Sequence, residues 1–74
     1  MNHDELNDRL WFRPRGSSFR GGPLQIHVFF DSNCVGVVHF NWNDEYVYES
    51  IRFTHYKDAI DYIRNQYSKE VAND

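Results

Sequence analysis

Apolar residues recur at every second position over three stretches between Leu24 and Phe53, then at every third or fourth position from Tyr56 onward. A period of two marks a half-buried strand, and a period near 3.6 marks an amphipathic helix. In 24–30, Leu24, Ile26, Val28 and Phe30 share one face, and Gln25, His27 and Phe29 share the other. In 34–42 the first face takes Cys34, Gly36, Val38, Phe40 and Trp42. In 46–53 it takes Val47, Ile51 and Phe53, interrupted by Glu49.

Asp31-Ser32-Asn33 and Asp44-Glu45 have the composition of turns. A three-residue first turn pairs Phe30 with Cys34, Val28 with Gly36 and Ile26 with Val38. A two-residue second turn pairs Trp42 with Val47, Phe40 with Glu49 and Val38 with Ile51. Both turns keep the apolar sets on one face, and a slip of one residue in either would break that agreement. Gly36 weakens its strand but leaves room for a ring or a helix crossing close above.

The helical stripe is Tyr56, Ala59, Ile60, Ile63 and Tyr67, with Thr54 as its N-cap. Asp58 near the start and Lys69 near the end suit the helix dipole. The predicted fold is α+β: a three-stranded antiparallel meander, order 1-2-3, with one C-terminal helix on one face. It spans 24–70. An N-terminal arm takes 1–23 and a fraying tail takes 71–74. Leu6 and Leu10, one helical turn apart, suggest a short helix in the arm. Pro14, Gly16, Gly21, Gly22 and Pro23 argue for a loop from 11 to 23.

Seventy-four residues make one domain with a thin core. An aromatic content of 18% offsets this, because each buried ring removes roughly 150–250 Å² from water. The single cysteine, Cys34, excludes an internal disulfide, and its strand parity turns it inward. No apolar run reaches the ~20 residues of a membrane span, and the opening residues lack a signal-peptide pattern. These features point to the cytoplasm.

Net charge is −3, but the signs are separated. Residues 9–30 hold four arginines and no carboxylate, whereas 31–74 hold eight carboxylates against Arg52, Lys57, Arg64 and Lys69. Such asymmetry bears on partners rather than on fold.

The most informative surface is the sheet face away from the helix. Phe29, Val35, Val37 and Tyr48 form an apolar patch there, beside His39 and Arg52, with Asp44 and Glu45 at one end to steer a basic partner. Three occupants fit this face: the N-terminal segment folded over it with Leu10, Trp11 and Phe12 as a lid, a second copy of the chain, or a foreign protein. The arm interleaves Trp11, Phe12 and Phe19 with Arg13, Arg15 and Arg20, the combination by which single-strand binders hold bases and phosphates. A docked arm whose arginines meet the acidic body explains the same residues.

Chemistry finds little footing. His27 and His39 are diagonal neighbours without a third ligand, so no metal or cofactor is expected. Cys34 has no motif around it, and His39 opposite Ser50 lacks an oxyanion site. The start of the helix reads Tyr56-Lys57-Asp58, not the lysine cluster of a double-stranded-RNA-binding domain. The leading expectation is a non-enzymatic protein-binding module, an inhibitor or adaptor acting on a larger protein such as a nucleic-acid-processing one. Compact inhibitors of such enzymes, phage-coded ones among them, share this general character. The alternative, which the negative net charge disfavours, is a single-stranded nucleic-acid-binding protein that uses the arm.

Overall fold

The computed structural model describes residues 3–18 and 22–72. The elements are α1 (His3–Arg9), β1 (Leu10–Arg15), β2 (Gln25–Phe30), β3 (Asn33–Phe40), β4 (Tyr46–Tyr48), β5 (Ile51–Phe53) and α2 (Tyr56–Ala72). The strands form one antiparallel sheet in the order β1-β2-β3-β4-β5. The α+β class and the C-terminal helix agree with the sequence pattern. Among the described residues the meander has five strands instead of three.

The first extra strand is β1, in a stretch whose prolines and glycines suggested a loop. Pro14 is tolerated because β1 is an edge strand, where the missing N–H can face away from the ladder. Antiparallel residues bond to a given neighbour alternately. The N–H of Asp31 donates to the carbonyl of Arg9 at 2.9 Å and that of Leu24 to Arg15 at 3.1 Å. The odd residues therefore face β2, and Pro14 falls between them.

The second extra strand arises because 46–53 folds back on itself. Glu49 and Ser50 have φ of 50° and 71°, the left-handed pair that a two-residue type I′ turn requires. Tyr46 then pairs with Phe53, Val47 with Arg52 and Tyr48 with Ile51. Glu49 lies in this turn, not opposite Phe40 on the core face.

The loop before β4 is also longer than two residues. Asn41 Oδ1 accepts from the N–H groups of Asn43 at 3.0 Å and Glu45 at 2.9 Å, closing a loop over 41–45. Phe40 pairs with Tyr46 and His39 with Val47. This register exchanges the faces expected for β4. Val47 turns outward, while Tyr46 and Tyr48 enter the core at 5% and 2% exposure. Tyr48 therefore leaves the apolar patch in which the sequence pattern placed it. Its ring lies over Gly36, where an added Cβ would stand 2.8 Å from Tyr48 Cε1. The glycine does admit a ring, contributed by a residue that parity had assigned to the opposite face.

Between β2 and β3 the inner register is the expected one, Ile26 with Val38 and Val28 with Gly36. Towards the turn, Phe29 pairs with Cys34 and Phe30 with Asn33. The turn is Asp31-Ser32, with φ of 53° and 68°, and Val35 is the extra residue of a β-bulge. A two-residue turn plus a bulge uses as many residues as the expected three-residue turn, so the faces agree from Gly36 on. Cys34 is the casualty: it is exposed, not turned inward.

The core occupies one side. Leu10, Ile26, Val28, Val38, Tyr46 and Tyr48 from the sheet meet Leu6, Ala59, Ile63 and Val71 from the helices. Val71 is 5% exposed and α2 runs to Ala72, past the helix end expected at 70, and residues 73 and 74 of the expected tail lie outside the described residues. Arg64 Nη1 donates to Asn7 Oδ1 at 2.9 Å, and its guanidinium lies 5.5 Å from the Phe12 ring centre, tying α1 and β1 to α2. Arg9 Nε and Nη2 each donate to Asp31 at 2.8 Å. Those hydrogen bonds hold the Asp31 carboxyl below the usual range. Among the described residues no helix is long and apolar enough to cross a membrane.

Burial, with the negative charge of Glu49 next in weight, pushes the Tyr48 phenol up to about 12. The fold thus favours the neutral phenol, whereas an unfolded tyrosine ionises near pH 10. Stability should be intact below about pH 10 and fall as pH rises towards 12. Urea midpoints across this window should drop less for Tyr48→Phe than for the parent chain.

Candidate binding surface

The outer face is built from cross-strand rows. Trp11, Phe29 and Cys34 form the first, and Arg13, His27 and Val37 the second. The third crosses the whole sheet as Arg15, Gln25, His39, Val47 and Arg52. Alternation along each strand sends these side chains away from the helices. The described N-terminal residues do not fold across this face as a lid. They widen it, because β1 pairs with β2 edge to edge.

Two sets of residues that looked separate in the sequence meet here. Phe29, Val37, His39 and Arg52 come from the patch expected on the meander, and Trp11, Arg13 and Arg15 come from the arm. Trp11 stacks on Phe29 with ring centres 4.2 Å apart and planes 9° apart. Val35, on the bulge, is 39% exposed. Phe12 is not part of the surface, since it packs against the core on the helix side. Asp44 and Glu45 sit in the loop at the rim and are half-buried. Glu45 Oε1 accepts from Asn41 Nδ2 at 3.5 Å. Phe19 and Arg20 lie outside the described residues.

Electrostatically the two sides of the domain differ. The described strand residues of the outer face include three arginines and no carboxylate. Asp58, Asp61 and Glu70 on α2 are balanced by Lys57, Arg64 and Lys69, and the remaining described carboxylates lie on α1 (Glu5, Asp8) and in the turns (Asp31, Asp44, Glu45, Glu49), off the outer face. The net charge of −3 conceals this separation. Among the described residues no group of three His, Cys, Asp or Glu side chains is placed to hold a metal ion.

Sequence reasoning missed one surface residue of consequence. Trp42, placed in the core by strand parity, projects fully into solvent from the 41–45 loop, and Leu24 is 43% exposed. The two border a groove of about 460 Å³ floored by Phe40 and Ser18. The signal was available in Asn41-Trp42-Asn43-Asp44, a run of turn-forming residues around the tryptophan. No protein-family model, curated protein or solved structure matches the chain.

The two sides of β1 should respond differently to truncation. Trp11→Ala removes an exposed ring stack and should lower stability by about 1 kcal/mol. Phe12→Ala opens the core and should cost roughly 2–3 kcal/mol. Chemical denaturation of both variants checks the order, and equal losses would contradict the register of β1.

Proposed function

We propose that the protein is a non-enzymatic binding module whose working surface is the outer face of its sheet, and that its partner is a macromolecule presenting negative charge. The observation that carries this reading is the row from Arg15 to Arg52, with Arg13 and the Trp11–Phe29 stack beside it, on the side that neither helix covers. Arginine and aromatic side chains are the strongest anchors of binding surfaces, the first for charge-assisted hydrogen bonds and the second for area buried at little rotamer cost. A second copy docked face to face would set one group of guanidiniums against the other, which opposes a symmetric dimer through this face. The inhibitor or adaptor role expected from the sequence fits this surface when the partner protein is acidic there. The steering role expected of Asp44 and Glu45 towards a basic partner does not suit an otherwise cationic face.

The double substitution Arg13→Glu, Arg52→Glu tests this reading. Both side chains are exposed and point away from the core, so the melting temperature should hold to within a few degrees. Capture of the natural partner from an extract of the source cells should fall at least about 30-fold, the equivalent of about 2 kcal/mol. Undiminished capture by the folded variant would overturn the assignment of this face.

A further inference from the structure

We propose that the anionic partner is a single-stranded nucleic acid, laid along the outer face from Trp11 towards Trp42. The inference rests on the reading of that face as the working surface. Three observations favour a nucleic-acid strand over an acidic protein.

The first is the composition of the middle of the face. The fully buried core of a protein interface is more apolar than its polar rim. Here the inner strands β2 and β3 present Gln25, His27 and His39 around half-buried Val37, while the arginines flank them on the edge strands β1 and β5. The transfer of Tyr48 to the core removes the large ring that would have made an apolar centre.

The second is the order of groups along the edge. Trp11, Arg13 and Arg15 follow one another on one side of β1. At about 3.3 Å per residue this sets the two guanidinium-bearing positions roughly 7 Å apart, and the ring a similar step beyond. Successive cations with a stacking ring beside them match the repeating phosphate and base of a single strand.

The third is a second exposed ring at the far end. Arg15, Gln25 and His39 line a depression that shares Leu24 and Phe40 with the groove below Trp42. The cationic row therefore runs into a fully exposed tryptophan. The histidines and Gln25 offer hydrogen-bonding groups for base edges between the two rings. Paired bases cannot offer their faces to either ring, so a duplex loses the stacking component. On the reverse, Lys57, Arg64 and Lys69 of α2 alternate with Asp58, Asp61 and Glu70, so that side offers a strand no carboxylate-free run of cations like that of the sheet face.

Fluorescein-labelled twelve-nucleotide oligo(dT) and oligo(U), read by anisotropy with the full chain, are the probes. Binding should quench tryptophan fluorescence, and a blunt duplex of equal length should bind at least tenfold more weakly. Three phosphate contacts predict a slope of log affinity against log salt near −2. Arg13→Ala with Arg15→Ala should reduce that slope to less than half, and Trp11→Ala should weaken binding roughly 5–100-fold. Arg52→Ala, at the other edge of the sheet, gives an independent check should changes in β1 disturb folding. Lys57→Ala with Lys69→Ala, on the helical side, should leave affinity within twofold.

Absence of oligonucleotide binding at low salt, or equal losses from the lysine and arginine variants, would overturn the proposal. If oligonucleotides fail while nuclease-treated extract still yields a protein whose capture depends on Arg13 and Arg52, the nucleic-acid assignment falls and the face remains the working surface. If neither kind of capture depends on those residues, both readings fall.

Discussion

The structure depends on the one-sided burial of its sheet. Five strands present two faces, but the described helices, α1 and α2, both pack on the same one. The apolar side chains of that face are therefore shielded together, and the opposite face stays against water. Tyr48 packs close over Gly36 on the buried side, where even a methyl group on the glycine would collide with the ring. A protein of this size has few core side chains, so a single large ring seated in this way carries a substantial share of the burial.

One-sided burial also separates the charges. The described carboxylates lie on the helices and in the turns, those of α2 mixed with Lys57, Arg64 and Lys69, while the arginines of β1 and β5 project from the open face. Both sheet edges are guarded at the same time. β1 carries Pro14 between Arg13 and Arg15, and β5 is only three residues long with Arg52 at its middle. Prolines, charges and short edge strands are the devices by which open sheets avoid pairing with other chains. The arginines thus serve twice, protecting the edges and giving the outer face its positive character. Arg9, by contrast, is tied to Asp31 and to the Phe30 ring.

The period of two through β2 and β3, the inner register of Ile26 with Val38, and the stripe Ala59, Ile60, Ile63 on α2 were legible along the chain. Each follows from a local rule: alternation on a strand, 100° steps on a helix, and agreement of apolar faces across a hairpin. Phe29, Val37, His39 and Arg52 were placed on the open face by the same rules, and they stand there. The tertiary structure decided the rest. A turn at Glu49-Ser50 holds two residues without glycine or asparagine in left-handed backbone. That strain is tolerated because folding back there puts Tyr48 into the core, a gain that no local signal reports. β1 is a strand because β2 offers it a ladder on the one side that a proline-bearing edge can use. That pairing, made across the loop that precedes β2, brings Trp11, Arg13 and Arg15 onto the face of Phe29 and Arg52. The chain by itself specified which residues alternate. Long-range packing determined where the alternation was interrupted, and so which residues share the surface.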